Sequence, residues 1–297
     1  MHEKKRRPES AEHSPAQLGQ KAIRRCIELM QKNRFVLHIP AVIDPFKAVD
    51  GMHFHPQPEL FLQVAGISVM QLPREIIRCR PGEAMLMPRG MPHTETIAGR
   101  PRIFCNLVIS FGRRTVTVHE ARHKNSAFPR IVKMQQFAAD DVPRLYGYLD
   151  EACYWQKIAG PVARQAANGL LAAHLAALEQ LLLNPLPHSR NESMRTIECR
   201  RLVSEHLTMP QLNVAWLADR VKCNPDYLSF SFHKETGISL AEYINQKRLD
   251  FVRSLLDNSH LTIAEAAHAA GYNDPGYMTR RFRRAFNCAP REYRKNA

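Results

Sequence analysis

Two segments near the end of the chain repeat one plan, and this repeat constrains the fold more than any other feature of the sequence. The first runs from Leu212 to Gly237 and the second from Leu261 to Asn287. Each contains a short apolar helix pattern, a tight turn and a second helix pattern with a polar face. This is the layout of a helix-turn-helix, whose second helix enters the major groove of DNA. The sequence therefore predicts two such motifs, over 214–235 and 262–286.

The polar faces of the two second helices contain the residues that we expect to contact DNA. They are Asp226, Ser229, Phe230, His233 and Lys234 in the first motif, and Gly276, Thr279, Arg280, Arg283 and Arg284 in the second. Early positions of such a helix reach base edges, while later arginines lie where phosphates run. An arginine in the groove most often reads guanine. Phe230 cannot read guanine, and two alternatives stay open for it: it contacts a thymine methyl, or it packs on a neighbouring element. The second motif is therefore expected to be the stronger reader, unless its arginines form only a solvated basic face.

The positions of the basic residues, and not the net charge of the chain, support a polyanionic partner. The chain has 42 basic and 28 acidic residues, a net charge of +14, but from Asn191 onward there are 16 Lys/Arg against 12 Asp/Glu. The seven cysteines include no C-x-x-C pair, which favours a reducing compartment. No apolar run follows the charged start, so no secretory signal is expected. The apolar stretch from Leu170 is interrupted by His174 and is judged too short to span a membrane, so we expect a cytoplasmic protein.

The first part of the chain shows a change from helical to strand patterns. Residues 1–20 are polar and basic and are predicted to be a disordered arm, with a short helix beginning at Lys21. Short strands follow up to about His119, and their near-regular spacing is typical of a sandwich or barrel. The predicted strands are Arg34–Ile39, Leu60–Ala65, Ile67–Leu72, Glu75–Cys79, Ala84–Met87, Ile103–Ser110 and Thr115–His119.

Two spaced motifs lie within the predicted strands. One is G-x-H-x-H-x3-E-x6-G, beginning at Gly51, and the other is G-x5-P-x-G-x2-H, beginning at Gly82. Together they resemble the paired motifs of the cupin superfamily, which implies a small β-barrel of jelly-roll type. Ile97 departs from the pattern, because the second motif usually has Asn at that position. The polar residues that the two motifs supply are His53, His55, Glu59 and His93.

Three imidazoles and one carboxylate have the chemistry to hold Fe, Mn, Ni or Zn. They can equally bind a polar small molecule, or pack as remnants of an older site. A small antiparallel barrel has room for one small ligand. We expect these four residues to bind a small-molecule effector and expect no metal or other cofactor; a metal, if present, would use the same four residues.

Two helical patterns separate the strands from the paired motifs, and they predict a helical hairpin over 140–156 and 161–183. The second helix carries two adjacent apolar stripes, which are wider than docking on the barrel requires. One interpretation is docking plus a homodimer seam, and the other is docking alone. The stretch 184–191 is short, polar and contains two prolines, so it is predicted to be a linker. The expected domains are thus 21–183 and 192–297.

The last domain resembles the AraC/XylS family of bacterial transcription regulators over about 100 residues. The matching residues are Leu217, Ala218, Leu228, Phe232, Gly237, Tyr243, Arg248, Leu255, Leu256, Ile263, Ala267, Gly271, Tyr272, Phe282, Phe286, Pro290, Tyr293 and Arg294. The departures are Phe230, where arginine is frequent, the pair Pro275-Gly276, Asn287 in place of glycine, and Ala289 in place of threonine.

The resemblance implies an α+β protein of two domains, with a cupin-like barrel and helical hairpin before an all-α domain. It implies binding to two successive major grooves of double-stranded DNA, usually as an activator that meets RNA polymerase, commonly as a homodimer, and often with a small effector. Neither a membrane partner nor enzyme activity is expected. Two alternatives stay open at this point. One is a metal-dependent cupin enzyme fused to DNA-binding helices, and the other is an interaction module that has lost DNA binding, which the arginines of the second motif argue against.

Overall fold

The structure is a computed structural model. It describes residues 14–41, 45–46, 49, 51–55, 57–99, 101–112, 115–123, 127–158, 160–184, 193–258 and 261–296. Residues 1–13 of the predicted arm and 185–191 of the predicted linker lie outside these residues. The described part contains a β-rich N-terminal region with three helices and an all-helical C-terminal region, which confirms the expected α+β organisation.

The β-rich region consists of two sheets. The larger has the strand order β1-β5-β2-β7-β8-β9 and the smaller has the order β4-β3-β6. All pairs are antiparallel except β1 with β5. The strands are β1 (Leu37–His38), β2 (Glu59–Ala65), β3 (Ser68–Gln71), β4 (Ile76–Cys79), β5 (Ala84–Met87), β6 (Thr94–Ile97), β7 (Cys105–Phe111), β8 (Thr115–Arg122) and β9 (Arg130–Ala138).

Alternation along the strands gives the larger sheet two different cores. In β2, Leu60 and Leu62 face the helices, while Phe61 faces the smaller sheet. The core between the sheets is rich in methionine, and its members are fully or almost fully buried. They are Phe61, Met70, Leu72, Cys79, Met85, Met87, Met91 and Val108.

All seven predicted strands are present, Ala84–Met87 with the predicted ends and the other six with shifted ends, but β6 and β9 were not predicted. The sequence of β6, TETI, is mostly polar, so it lacks the apolar alternation that marks a strand. In β9 most residues are only partly buried on both faces, so the alternation that marks a strand is weak. Both strands are held mainly by pairing with neighbours that are distant in sequence, a signal that a local pattern does not contain.

Three helices cover the larger sheet: α1 (Pro15–Gln31), α2 (Val142–Gln156) and α3 (Pro161–Leu183). α1 begins six residues before the predicted start at Lys21, which corrects the prediction of a disordered arm over 1–20 for its last part. The cause is local, because Ser14 and Gln17 form a reciprocal capping box and Pro15 occupies the first helical position.

The wide apolar face of α3 has partners within the same chain. Leu171, Leu175 and Leu178 are buried in the core shared with the sheet. In the second stripe, His174 is buried and its Nδ1 donates to the backbone oxygen of Leu145 in α2 at 2.8 Å. α1 covers the far end of α3, where Gln20 donates to the carbonyl of Leu182. Docking alone therefore accounts for much of the width, and the homodimer seam stays a prediction.

The observed length of α3 also corrects the expectation that the apolar stretch from Leu170 is too short to span a membrane. The estimate began at Leu170, but the helix begins at Pro161 and has 23 residues. By length and composition alone it is the one helix among the described residues that could cross a membrane. The core helix of a soluble protein passes the same test, and α3 packs against α1 and α2 in such a core.

The C-terminal region is formed by seven helices around one core: α4 (Met194–Glu205), α5 (Val214–Arg220), α6 (Pro225–Thr236), α7 (Leu240–Asn258), α8 (Ile263–Ala269), α9 (Pro275–Phe286) and α10 (Pro290–Asn296). α10 was not predicted. α7 lies between the two helix pairs in sequence. Its Arg248 is buried and donates to the carbonyls of Leu207 and Met209, which ties α7 to the segment after α4.

Candidate nucleic-acid interface and imidazole cluster

The first helix pair is assembled by local signals at the ends of α6. Asn224 caps this helix, and its side-chain oxygen accepts from the amides of Asp226 and Tyr227 at 2.8 and 3.4 Å. Pro225 occupies the first helical position. Gly237 ends the helix in the left-handed conformation at φ +79°. Leu228 and Phe232 are buried against α5 and α7, so the opposite face of α6 points outward.

The second helix pair repeats this construction with different residues. Asp274 caps α9 by accepting from the amide of Gly276 at 2.7 Å, and Pro275 follows it. Asn287 ends the helix in the left-handed conformation at φ +57°, which asparagine tolerates at a position where glycine is usual. Met278 and Phe282 are buried. Both motifs therefore have the predicted internal geometry.

The turn of the second pair leaves no room for a side chain. Gly271 has φ +81°, and a Cβ added to it would lie 2.9 Å from the backbone oxygen of Leu207 and 3.0 Å from that of Thr208. In the first pair, Lys222 occupies the left-handed turn position at φ +55° with an exposed side chain. The second turn is therefore packed on the segment after α4, whereas the first turn faces solvent.

The exposed face of α6 contains the predicted residues. Asp226, His233 and Lys234 are exposed and Ser229 is half-buried. Phe230 is 65% exposed, so it does not pack on a neighbouring element, and one of the two alternatives for this residue is thereby set aside. A large apolar side chain left in water at the centre of a polar face is unusual unless a partner covers it.

The exposed face of α9 is more basic. Gly276, Arg283 and Arg284 are exposed, and the side chain of Arg280 is 72% exposed with its Nη2 3.7 Å from Asp274 Oδ2. The Thr279 hydroxyl donates to the carbonyl of Pro275 within the helix at 2.9 Å.

One arginine does not belong to this face. Arg281, which was not among the predicted DNA-contacting residues, turns away and pairs with Glu242 of α7. The basic face therefore consists of Arg280, Arg283 and Arg284. Arg281 instead ties α9 to the helix that precedes the second pair.

Sequence reasoning missed two aromatic residues on these faces. Tyr227 and Tyr277 occupy the same position in α6 and α9, two residues after the proline, and they are 52% and 41% exposed. The signal was available, because the two second helices align residue by residue from Pro225 and Pro275. A phenol hydroxyl at the start of a groove-facing helix is able to donate to a phosphate oxygen.

A second polar site lies in the β-rich region, and we call His53, His55 and His93 the imidazole cluster. Their rings have centroid separations of 4.4 to 5.4 Å. One ring nitrogen of each residue lies within 4.8 Å of those of the other two. Reciprocal backbone hydrogen bonds between His53 and His93, of 3.0 and 2.8 Å, hold the two motifs side by side. The structure thus brings together the histidines that the sequence singled out.

Glu59 joins the cluster through His55. Its Oε2 lies 3.2 Å from His55 Nε2, and the side chain is almost completely buried. His93 is 1% exposed, and its Nδ1 donates to the backbone oxygen of Met91 at 2.8 Å. In the neutral ring this leaves a lone pair on Nε2, which has no hydrogen-bond partner among the described residues.

Burial keeps the cluster uncharged. Burial lowers the pKa of His53 to about 4, helped by the nearby charges of His206 and Arg201. Burial also lowers the pKa of His93 to about 3 and that of His55 well below its usual value, each helped by neighbouring histidines. Near neutral pH all three imidazoles are therefore in the form that can donate a lone pair to a ligand.

The sequence did not connect His119, Arg201 or His206 with this site. His119 comes from β8, and burial followed by the charge of Arg201 lowers its pKa to about 4. Arg201 is in α4 and His206 directly follows it, so both belong to the helical region. No motif spacing links them to residues 53–93, since only the approach of α4 to the β-rich region brings them close.

Comparison with known proteins agrees with this geometry. A family model described as "Helix-turn-helix domain" matches residues 217–296. The chain is 27% identical to the arabinose operon regulatory protein of Escherichia coli (strain K12) over 273 residues, 88% of this chain and 90% of that protein. It is 33% identical over 132 residues to the HTH-type transcriptional activator RhaS of Pectobacterium carotovorum, 41% of this chain and 47% of that protein.

Among solved structures, the C-terminal domain of AraT, a response regulator from Geobacillus stearothermophilus, is 27% identical with a TM-score of 0.35, and covers 35% of this chain and 87% of its own. The family model describes a DNA-binding domain, and the relatives are named as transcription regulators and not as enzymes. These matches argue against the alternative of a metal-dependent cupin enzyme. With both helix pairs and their buried residues arranged as the motifs require, the C-terminal region of this chain contains a helix-turn-helix domain similar to those of AraC-type transcription regulators.

Proposed function

We propose that the protein is a sequence-specific transcription regulator that places α6 and α9 in two successive major grooves of double-stranded DNA. The observation that supports this most is the pair of equivalent outward faces, on helices of equal length, that are joined through α7. Successive grooves are about 34 Å apart, so two reading helices in one chain need a stiff spacer between them. A continuous helix of 19 residues provides such a spacer.

Each of the two faces has base-facing and phosphate-facing positions, with different residues in α6 and α9. Arg280 and Thr279 are at positions where side chains reach base edges, and Arg283 and Arg284 follow where phosphates run. In α6, Ser229 and Phe230 are at the corresponding base-facing positions and His233 and Lys234 at the phosphate-facing ones, with Asp226 at the start. The basic face of α9 favours DNA binding over an interaction module that has lost it.

We also propose that the β-rich region is a cupin-like sensor whose effector binds at His53, His55, Glu59 and His93. The cluster supports this because it combines buried neutral rings, a carboxylate and an unsatisfied ring nitrogen. An effector shifts the equilibrium between two arrangements of the DNA-binding helices by as much as its affinities for them differ. Action as an activator is supported by the RhaS relative, which is named a transcriptional activator. Contact with RNA polymerase and a cytoplasmic location are part of the same proposal.

The DNA-binding proposal is tested by selection of DNA with the full-length protein. A pool of random duplexes is passed over the protein at moderate salt, and the enriched sequences are read. We expect one motif with two half-sites about one helical turn apart, in keeping with two reading helices. A single half-site would show that only one helix reads DNA, and a pool without enrichment would contradict the proposed function.

A homodimer through α3 is the part of the proposal with the least support, since α1 and α2 cover much of that helix. Val162 is 72% exposed at its start, and Leu183 is also exposed at its end. Sedimentation of the protein and of Val162→Glu tests it. We expect the dimer to weaken in this variant, whereas a monomer at all concentrations would remove the homodimer from the proposal.

A further inference from the structure

A short segment between α4 and α5 contacts elements of both helix pairs. Leu207, Thr208 and Met209 follow α4 in an irregular turn and lead toward α5, the first helix of the first motif. Leu207 is buried in the core of the helical region. We call residues 207–209 the junction segment. Because it precedes the first motif in the chain and touches the second, it can determine how the two motifs are placed relative to each other.

The first contact of the junction segment is with the middle of α7. Arg248 is only 8% exposed. Its Nε donates to the carbonyl oxygen of Leu207 at 3.2 Å, and its Nη2 donates to that of Met209 at 2.6 Å. Two nitrogens of one planar group thus hold two carbonyls that are two residues apart. A turn that is held at two points by one rigid group resists both sliding along α7 and rotation on it.

The burial of Arg248 indicates that this contact is kept against an energetic cost. Burial lowers the pKa of the guanidinium, because surroundings of low dielectric constant disfavour its charged form. Both acceptors are neutral carbonyl oxygens, which offset less of this cost than a carboxylate would. An unbranched apolar side chain would fill the space without burying a charge. The arginine therefore contributes more than packing, and what it contributes is a defined position for the junction segment.

The second contact of the junction segment is with the turn of the second motif. A Cβ on Gly271 would lie 2.9–3.0 Å from two backbone oxygens of the segment, so the two backbones touch. Tyr272 follows this turn, and its ring lies 5.7 Å from the Arg248 guanidinium. Its hydroxyl donates to the carbonyl oxygen of Asn245 in α7 at 3.4 Å. The second turn, α7 and the junction segment therefore meet at one place.

A spacer helix by itself does not determine how two reading helices are placed. α7 sets a separation along its own axis, but a motif that is joined to the end of a helix by a short connection can turn about that connection. The rotation of one motif relative to the other is determined only if they also touch elsewhere. The junction segment supplies this additional contact, since it leads into α5 and packs on the turn before α9.

We propose that the junction segment, held between Arg248 and Gly271, fixes the distance and the rotation between α6 and α9, and thereby the number of base pairs that must separate the two half-sites in DNA. Arg248 is a positioning residue in this proposal, because it contacts no DNA and acts through the carbonyls of Leu207 and Met209. The inference rests on the proposed function, since it states the spacing rule that the proposed DNA binding obeys.

The geometry of DNA converts a rigid pair of reading helices into a spacing rule. One additional base pair between the half-sites moves the second groove by about 3.4 Å and rotates it by about 35°. Reading helices that cannot adjust then lose base contacts in one of the two grooves, and one good contact corresponds to about tenfold in affinity. Reading helices that can adjust lose only part of this affinity.

The proposal is tested with the selected DNA and with versions whose half-sites are one base pair closer together or farther apart. We expect the unaltered full-length protein to bind the altered spacings about tenfold or more weakly. In Arg248→Met, which keeps an unbranched stem but removes both hydrogen bonds, this difference should fall to about threefold or less. Arg248→Lys keeps the charge but lacks the planar fork, so it should lie between these two values.

A matched control separates positioning from a general loss of stability. Val252→Ala removes buried volume from α7 one turn after Arg248, but it removes no hydrogen bond to the junction segment. Urea unfolding followed by circular dichroism compares the stabilities, and we expect Val252→Ala to keep the tenfold spacing preference although it is destabilised. An unchanged preference in Arg248→Met, or an equal loss in Val252→Ala, overturns the proposal. If Arg248→Met does not fold, Gly271→Ala replaces it, since its Cβ displaces the segment from the other side.

A measurement without DNA separates this inference from the proposed function. Nitroxide labels on keto amino acids at positions 230 and 280, which are exposed on α6 and α9, report the distance between the two helices by electron–electron double resonance. We expect one narrow distribution of distances in the otherwise unaltered protein and in Val252→Ala, and a broader one in Arg248→Met. Equal widths contradict the inference alone when specific DNA is bound. A broader distribution without any enriched DNA supports the placement by Arg248 and contradicts only the proposed function.

Discussion

The two helix-turn-helix motifs have nearly the same internal construction, but the exposed side chains of their second helices differ. Both second helices begin with a side-chain cap and a proline and end in a left-handed residue. Aligned from Pro225 and Pro275, however, Phe230 corresponds to Arg280, and His233 and Lys234 correspond to Arg283 and Arg284. Buried positions determine whether the motif forms, and exposed positions determine what it reads, so the two sets can vary independently.

The turns differ as well, since Gly271 is packed against backbone while Lys222 faces solvent. The second motif is consequently fastened to the segment after α4 and, through Arg281, to α7. A helix that reads bases through an arginine must be held in a defined position. The first motif, which has Phe230 at the position of Arg280, has a less constrained turn.

The largest effect is expected for Gly271→Ala. A Cβ there is strained by the left-handed backbone conformation and lies too close to two backbone oxygens. We therefore expect a loss of about 3 kcal/mol in the free energy of unfolding. Gly237→Ala is the matched control, because it has a similar φ with open space around the Cβ, and it should cost about 1–2 kcal/mol. Urea unfolding followed by tryptophan emission in a Trp155→Phe background, where Trp216 is the only tryptophan, measures both. Equal losses would show that the packed turn is unimportant.

The next effect concerns base reading. Arg280→Ala should cost about 1–3 kcal/mol and relax the preference at one base pair of the selected DNA. Phe230→Ala should cost about 0.8 kcal/mol, the value of one buried methyl-sized contact. Competition binding with single-base variants of the selected DNA measures both changes. A larger effect of Phe230→Ala would reverse the ranking of the two motifs.

A smaller and sequence-independent effect is expected for the phosphate-facing residues. Arg284→Ala should weaken binding to all sequences alike and lower the slope of log affinity against log salt by about 1. Lys234→Ala tests the corresponding position in the first motif. Arg281→Ala serves as the control, since its pairing with Glu242 predicts an unchanged slope. A reduced slope in this control would place Arg281 on the DNA side after all.

The smallest effect is expected when Gly237 and Asn287, the left-handed residues that end α6 and α9, are exchanged. Asn tolerates the left-handed conformation and Gly adopts it freely, so Gly237→Asn and Asn287→Gly should each change the free energy of unfolding by less than about 1 kcal/mol. The same urea experiment measures this. A loss as large as that of Gly237→Ala would indicate that the asparagine at 287 is tolerated for a reason specific to the second motif.

Local signals made the helical region predictable. Caps at Asn224 and Thr262, prolines at the start of α6 and α9, and buried residues spaced four apart lie within a few positions of one another, so the sequence alone determined both motifs and their exposed faces. The sequence also indicated that His53 and His93 lie in one site, because the two spaced motifs resemble the paired motifs of one barrel. Strands β6 and β9 were missed because strand pairing depends on residues far away in the chain.

The tertiary structure alone decided three further points. It gave Arg281 its partner Glu242, because α7 presents a carboxylate there. It covered much of the wide apolar face of α3 within the same chain, which a single helix pattern cannot show. It also brought α4 and α7 against the imidazole cluster, so that Phe54 contacts Phe251 across nearly 200 positions of sequence. Each depends on which elements meet in space, and contacts between distant segments leave no periodic trace in the sequence.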